Sequence, residues 1–251
     1  TVSSSAQAKT YAVKVTGSIA TDPTQTFSGS FNIVVASAMS LNTISTQYTA
    51  QGTAKDISLT GTNTTSGTTW SITSSSVSGI TMSTATGTSG KITVASSVAA
   101  GAYTIDYKAV NPTSGQQVSK SVTVVVGNVA INSVTATGGV GGTVSAGAIT
   151  LYAVQGTAAE FTVSAASNPS AANLGLTLSK TGTNADKVAL SGQKISTATT
   201  LAAGTYSFTL TETQASTGAT ASVSVTLIVD PVFDFSNSVT SGSLSVKGAG
   251  N

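Results

Sequence analysis

Apolar and polar residues alternate along most of this chain. Tyr103, Ile105 and Tyr107 fall on one side of a period-two pattern and Thr104, Asp106 and Lys108 on the other, as in a strand with one face turned to a core. Tyr206, Phe208 and Leu210 repeat the pattern. A turn-forming Ala215-Ser216-Thr217-Gly218 follows, then Val223, Val225, Leu227 and Val229, which together predict an antiparallel hairpin. No window shows convincing helical spacing. Short strands rich in Thr and Val, divided by Gly, Ser and Thr turns, predict an all-β chain of packed antiparallel sheets.

Self-similarity sets the organisation. Tyr48, Gln51-Gly52-Thr53-Ala54 and Asp56-Ile57-Ser58-Leu59 recur 104 residues later as Tyr152, Gln155-Gly156-Thr157-Ala158 and Glu160-Phe161-Thr162-Val163. Lys91-Ile92, Ala99-Ala100-Gly101, Tyr103, Gly115 and Val122-Thr123-Val124-Val125-Val126 recur 103 residues later. Their counterparts are Lys194-Ile195, Ala202-Ala203-Gly204, Tyr206, Gly218 and Val225-Thr226-Leu227-Ile228-Val229. The boundaries expected are a hairpin over 1–36, full units over 37–127 and 128–230, and a tail over 231–251.

With its Ala-Ala-Gly-x-Tyr turn and closing Val-x-Val strand, the unit resembles the Ig-like repeats found in tandem in bacterial and archaeal surface proteins. The resemblance covers nearly the whole chain. It implies tandem Ig-like antiparallel β-sandwiches in an extracellular or cell-surface stalk, adhesin or filament. The cysteine pair of antibody domains is absent.

The two ends read as incomplete β elements. Tyr11, Val13 and Val15, a turn around Asp22-Pro23, then Phe27, Phe31, Ile33 and Val35 correspond to the two closing strands of a unit. Beyond Asp230-Pro231, Val232, Phe233, Phe235 and Val239 resemble the opening of another. An isolated hairpin is marginally stable, so hairpin and tail are each expected to complete a sheet, either on a neighbouring unit or in another copy of the chain. Insertion between copies is strand addition of the donor-strand kind, with Phe233 and Phe235 as the inserted side chains. Such head-to-tail contacts build filaments unless they close into a ring. Tyr11, Phe27, Phe31, Val232, Phe233, Phe235 and Val239 are thus the candidate subunit interface.

Composition narrows the chemistry. Among 251 residues there is no His and no Cys, which removes ordinary zinc and haem sites, thiol chemistry, His-based triads and disulfides. All ten basic residues are Lys; without the forked guanidinium, and with a net charge of only +2, nucleic acid is not an expected partner. The longest apolar runs, such as Val124-Val125-Val126, are far short of the roughly 18 residues of a spanning helix. About a third of the residues are Ser or Thr and 7% are charged, far from the usual quarter or so charged. That surface suits an exported, self-associating product.

The eight carboxylates are scattered, whereas general acid–base work needs two converging at one site; no catalytic residue, cofactor or metal is expected. Asp230 and Asp234 flank the last repeat boundary, where acidic pairs can bind calcium, but so few carboxylate ligands leave no metal as the expectation and calcium as the alternative. Asp56 and Glu160, and Lys91 and Lys194, recur at matching positions. A Lys-to-Asn cross-link would need a matching Asn, and none is evident. Trp70, the only Trp, is expected in the core between sheets, with Leu174 or Leu176 at its place in the second unit. Tyr103 and Tyr206 are expected to donate their hydroxyls to backbone as in the corner of Greek-key sandwiches, with Tyr11 as a third copy. Asn63-Thr64-Thr65 is a glycosylation sequon, so Asn63 is the candidate acceptor.

The reading that follows is a non-enzymatic extracellular subunit polymerising with copies of itself. The alternative is an adhesin or carbohydrate-binding stalk, with Trp70 and the Ser/Thr loops facing glycans or a host or cell surface.

Overall fold

In the computed structural model, residues 1–74, 77–170 and 174–232 are described. Strands dominate, and the one helical turn among these residues is the 3-10 turn Ala185–Lys187. Two compact units emerge, the first built on Thr1–Asn128 and the second starting at Val129.

The chain opens with β1 (Lys9–Ile19) and β2 (Asp22–Val35), paired only with each other among the described residues. Their reversal lies at Ala20-Thr21, and Asp22-Pro23, expected in the turn, instead start β2. Asp22 is bonded locally there: one carboxylate oxygen accepts from the Thr24 amide at 3.2 Å and the Thr24 hydroxyl at 2.5 Å.

The first sandwich comprises β3 (Ser40–Leu41), β4 (Gln47–Ala50), β5 (Lys55–Leu59), β6 (Gly61–Thr62), β7 (Thr69–Ile72), β8 (Ile80–Thr84), β9 (Gly90–Val94), β10 (Gly101–Val110) and the first part of β11 (Gln117–Thr137). One sheet runs β4-β11-β10-β7 and the facing one β5-β9-β8, with β3 on β6. The alternation read from sequence places Ile105, Tyr107 and Ala109 of β10 and Val122, Val124 and Val126 of β11 in a core with Ile57, Leu59, Ile92 and Val94. The inward face of a sheet that alternates this way stabilises by removing apolar area from water, about 25 cal/mol per Å².

β11 continues into the second sandwich without a break, so the boundary expected between residues 127 and 128 falls inside a strand. Next come β12 (Gly139–Val140), β13 (Gly142–Thr143), β14 (Ala148–Val154), β15 (Glu160–Asn168), β16 (Leu176–Thr181), β17 (Val188–Ser191), β18 (Lys194–Thr197), β19 (Gly204–Gln214) and β20 (Ala219–Asp230). One sheet runs β17-β18-β15-β11 and the other β12-β14-β20-β19-β16. Leu151, Phe161, Ile195, Leu210, Val225 and Leu227 fill the core between them.

Both sandwiches share one pairing. Each closing strand is flanked on its outer side by a parallel opening strand: β4 on β11, with Val124 opposite Gln47, and β14 on β20, with Leu227 opposite Leu151. This strand order, with facing antiparallel sheets and a parallel strand on the closing one, is that of an Ig-like sandwich. The chain therefore carries two tandem Ig-like sandwiches.

Candidate functional site

Antiparallel register decides which residues share a face, because directly opposed residues point the same way. In the opening hairpin Tyr11 lies opposite Ile33, Val13 opposite Phe31, Val15 opposite Gly29 and Gly17 opposite Phe27. Tyr11, Val13, Val15, Phe27, Phe31 and Ile33 therefore form one continuous apolar face, while Thr10, Lys14, Thr16, Ser28, Ser30 and Asn32 form the other. Three of the residues predicted for an interface, Tyr11, Phe27 and Phe31, come together on it.

That face is open. Neither strand has a buried residue, and Phe27 is 66% exposed, Val15 55% and Phe31 52%. Residues 1–6 cover only its Tyr11 end, where Val2 and Ala6 join Tyr11, Val13 and Ile33 around a hollow of about 250 Å³.

The first sandwich shows what such a face does when covered. There Tyr103 lies opposite Val124 and Ile105 opposite Val122, so Tyr11, Val13, Phe31 and Ile33 occupy the places of Tyr103, Ile105, Val122 and Val124. Ile105, Val122 and Val124 are at most 2% exposed. A local bond marks the correspondence. The Tyr103 and Tyr206 hydroxyls donate to the carbonyls of Ala99 and Ala202, each at 2.8 Å, and the Tyr11 hydroxyl donates to the Gln7 carbonyl at 3.1 Å. In all three the acceptor lies four residues back.

One strand position also differs. β11 and β20 each carry a parallel neighbour, whereas β2 has none among the described residues. An unpaired edge presents free N–H and C=O groups to any strand that approaches it.

Val232 is 57% exposed; Phe233, Phe235 and Val239 lie outside the described residues. Asn63 is exposed in a left-handed turn with φ of 57°, and its side-chain amide donates to the Ala38 carbonyl at 2.7 Å. Trp70 is 2% exposed and donates its indole N–H to the Gly87 carbonyl at 3.0 Å; it presents no stacking platform to a sugar, which removes the aromatic contact of the adhesin reading.

The counterpart of Trp70 is neither Leu174 nor Leu176. Trp70 pairs with Ala109, and the residue 103 positions on, Glu212, pairs with Leu178. Leu178 therefore stands in its place, and the different loop lengths before β16 obscured this in the sequence.

The recurrent charges are joined in space. Lys91 bonds Asp56 at 2.9 Å and Lys194 bonds Glu160 at 2.6 Å, across paired strands on the exposed surface. The Thr93 hydroxyl and the Lys91 ammonium hold the Asp56 carboxyl below its ordinary value. Both lysines are thus committed outside the cores. Among the described residues no group of three or more acidic side chains converges as a metal would require, and no helix is long and apolar enough to cross a membrane.

One arrangement was missed. Glu212 is fully buried, and one of its carboxyl oxygens accepts from the Gln193 amide at 2.9 Å. The signal was present: Glu212 continues the inward series Phe208, Leu210, Glu212, where a surface carboxylate has no place.

No family model matches the chain, and no curated protein matches it. Solved structures do. An I-band fragment of titin matches with a TM-score of 0.44 at 13% identity, covering 78% of this chain and 67% of that one. A mouse cadherin-23 fragment matches with a TM-score of 0.35 at 12% identity, covering 89% of this chain and 74% of that one. At such values the strand order described above, and not the likeness, carries the fold.

Proposed function

We propose that this chain is a non-enzymatic extracellular structural subunit that joins copies of itself head to tail into a filament. The apolar face and free edge of the β1–β2 hairpin take a strand from the residues beyond Val232 of another copy. The observation that carries this reading is the hairpin itself: it has the register and tyrosine bond of a sandwich's closing pair, with none of its core-facing side chains buried and Val15, Phe27 and Phe31 exposed. In sequence, Phe233 and Phe235 alternate as a strand that fills pockets on one face does. A chain with no cysteine, histidine or arginine is left with strand pairing and apolar packing as its means of association.

Two variants test it together. Phe27→Asp with Phe31→Asp spoils the accepting face, and deletion of residues 233–251 removes the donor. By negative-stain microscopy and sedimentation the intact chain should form fibres with an axial repeat. Each variant should sediment as a monomer with unchanged β-sheet circular dichroism. Mixed, they should form a complex of one copy of each that goes no further, since the deleted chain keeps the acceptor and the Phe variant keeps the donor. Fibres from either variant alone, or a mixture that stays monomeric, would sink the mechanism.

A further inference from the structure

The second sandwich contains a hydrogen-bond deficit that one proton would remove. Glu212 sits on β19 opposite Leu178 and next to Leu210 in the inward series, with none of its surface exposed. Its Oε1 accepts from Gln193 Nε2. Its Oε2 and the Gln193 Oε1 are both buried and both lack a partner among the described residues. Two acceptors without a donor, on the same two side chains, leave the site one hydrogen short. Each such orphan carries the full cost of stripping water from a polar atom, and more when it is charged.

Among the described residues no cation offsets a carboxylate at this position. The charged groups on the surrounding elements are Glu160 of β15, Lys180 of β16, Lys194 of β18, Asp230 of β20, and Asp186 and Lys187 of the 3-10 turn. Lys180 donates to the Ala185 carbonyl, Lys194 is paired with Glu160 and Lys187 with Asp186. An unpaired buried carboxylate is the costly case, and such groups take up a proton instead.

We propose that Glu212 is a buried proton-binding site, held as a neutral carboxylic acid that donates from Oε2 to Gln193 Oε1. Acid and amide then exchange two hydrogen bonds, one in each direction, and neither oxygen is left over. Burial pushes the Glu212 carboxyl up, against the smaller downward pull of the Gln193 amide, as this arrangement requires.

The sign of the pH dependence follows. A carboxyl whose folded value lies above its unfolded value binds more protons in the folded state, so stability falls as pH rises between the two. The contribution is whole below the ordinary glutamate range and is lost as pH climbs through the raised folded value. Paired surface carboxylates such as Asp56, lowered by folding, act in the opposite sense.

The chain has only two glutamates, Glu160 and Glu212, so glutamate labelled with carbon-13 at the carboxyl gives two resonances, with exposed Glu160 as an internal control. They can be followed with pH by solution NMR, or by magic-angle spinning if the protein is fibrous. The expected result is that Glu212 keeps the shift of a protonated acid where Glu160 is already ionised. Two resonances titrating together in the ordinary range would overturn the proposal. A second readout uses Glu212→Gln, whose amide can still donate to Gln193 Oε1 and accept from Nε2. It should fold, and its unfolding midpoint should lack the fall with rising pH seen in the parent; an unchanged pH profile would likewise overturn the assignment.

Discussion

The two sandwiches fill one core position in opposite ways. In the first, Trp70 lies against Gly90 and opposite Ala109; in the second, the equivalent places hold Leu178, Gln193 and Glu212. One large ring with two near-absent side chains is exchanged for three side chains of middling size. A Cβ on Gly90 would lie 2.7 Å from the Trp70 ring, so the ring excludes any side chain where the second sandwich has Gln193. Interiors are close-packed, so the space one ring fills in the first core is filled in the second by several smaller side chains, two of them polar. The first solution needs a single hydrogen bond, from the indole to Gly87. The second sets a buried carboxyl beside a half-buried amide and must satisfy their polar atoms together.

Removing the ring gives the largest effect. Trp70→Ala empties a site that neither Gly90 nor Ala109 can fill, a loss of about 3–5 kcal/mol for a buried aromatic. Hydrogen exchange should show it as loss of protection at Ile92 and Val124, in the core with Trp70, with a smaller change at Leu210 in the second core. Equal loss in both cores would mean that the sandwiches do not fold as separate units.

Gly90→Ala comes next. Its new methyl meets Trp70 near the start of the side chain, close to backbone, where yielding is hard; overpacking of this kind costs about 1–3 kcal/mol. In a Trp70→Leu background, which mimics the second sandwich, the same methyl should cost much less. A double-mutant cycle on thermal midpoints measures that difference. Simple additivity would show that the glycine is there for some reason other than the ring.

What could be read in advance follows from these particulars. The strands and their inward faces were legible because period-two alternation is a local property, and the repeat was legible because Tyr103 and Tyr206 sit in gap-free copies of one segment. The match of Trp70 to Leu178 was not, because indels separate β15 from β16 and only the pairing with β19 restores the register. Asp56 with Lys91 and Glu160 with Lys194 recurred in the sequence, yet their joining needed the strand register. Glu212 was hidden differently: among scattered carboxylates it looked ordinary, and only its parity with Leu210 marked it as inward. The open face of the hairpin was readable as a pattern, but its emptiness is a fact about what packs on it, which no local pattern contains.

The smallest effect sharpens the contrast between the hairpin and the sandwiches. Tyr103→Phe and Tyr206→Phe each remove one hydroxyl-to-carbonyl bond of 2.8 Å, worth about 0.5–1.5 kcal/mol, and should lower the thermal midpoint of the soluble chain slightly. Tyr11→Phe removes the same bond at 3.1 Å, but from a hairpin with no buried residue. It should leave that midpoint unmoved. If another copy completes the hairpin, the missing bond belongs instead to the assembled state, and the fibres of Tyr11→Phe should dissociate at lower denaturant than those of the parent. A midpoint lowered as much by Tyr11→Phe as by Tyr103→Phe would mean that the hairpin already contributes to the fold of a single chain, and that it is no longer an open half-sheet awaiting a strand.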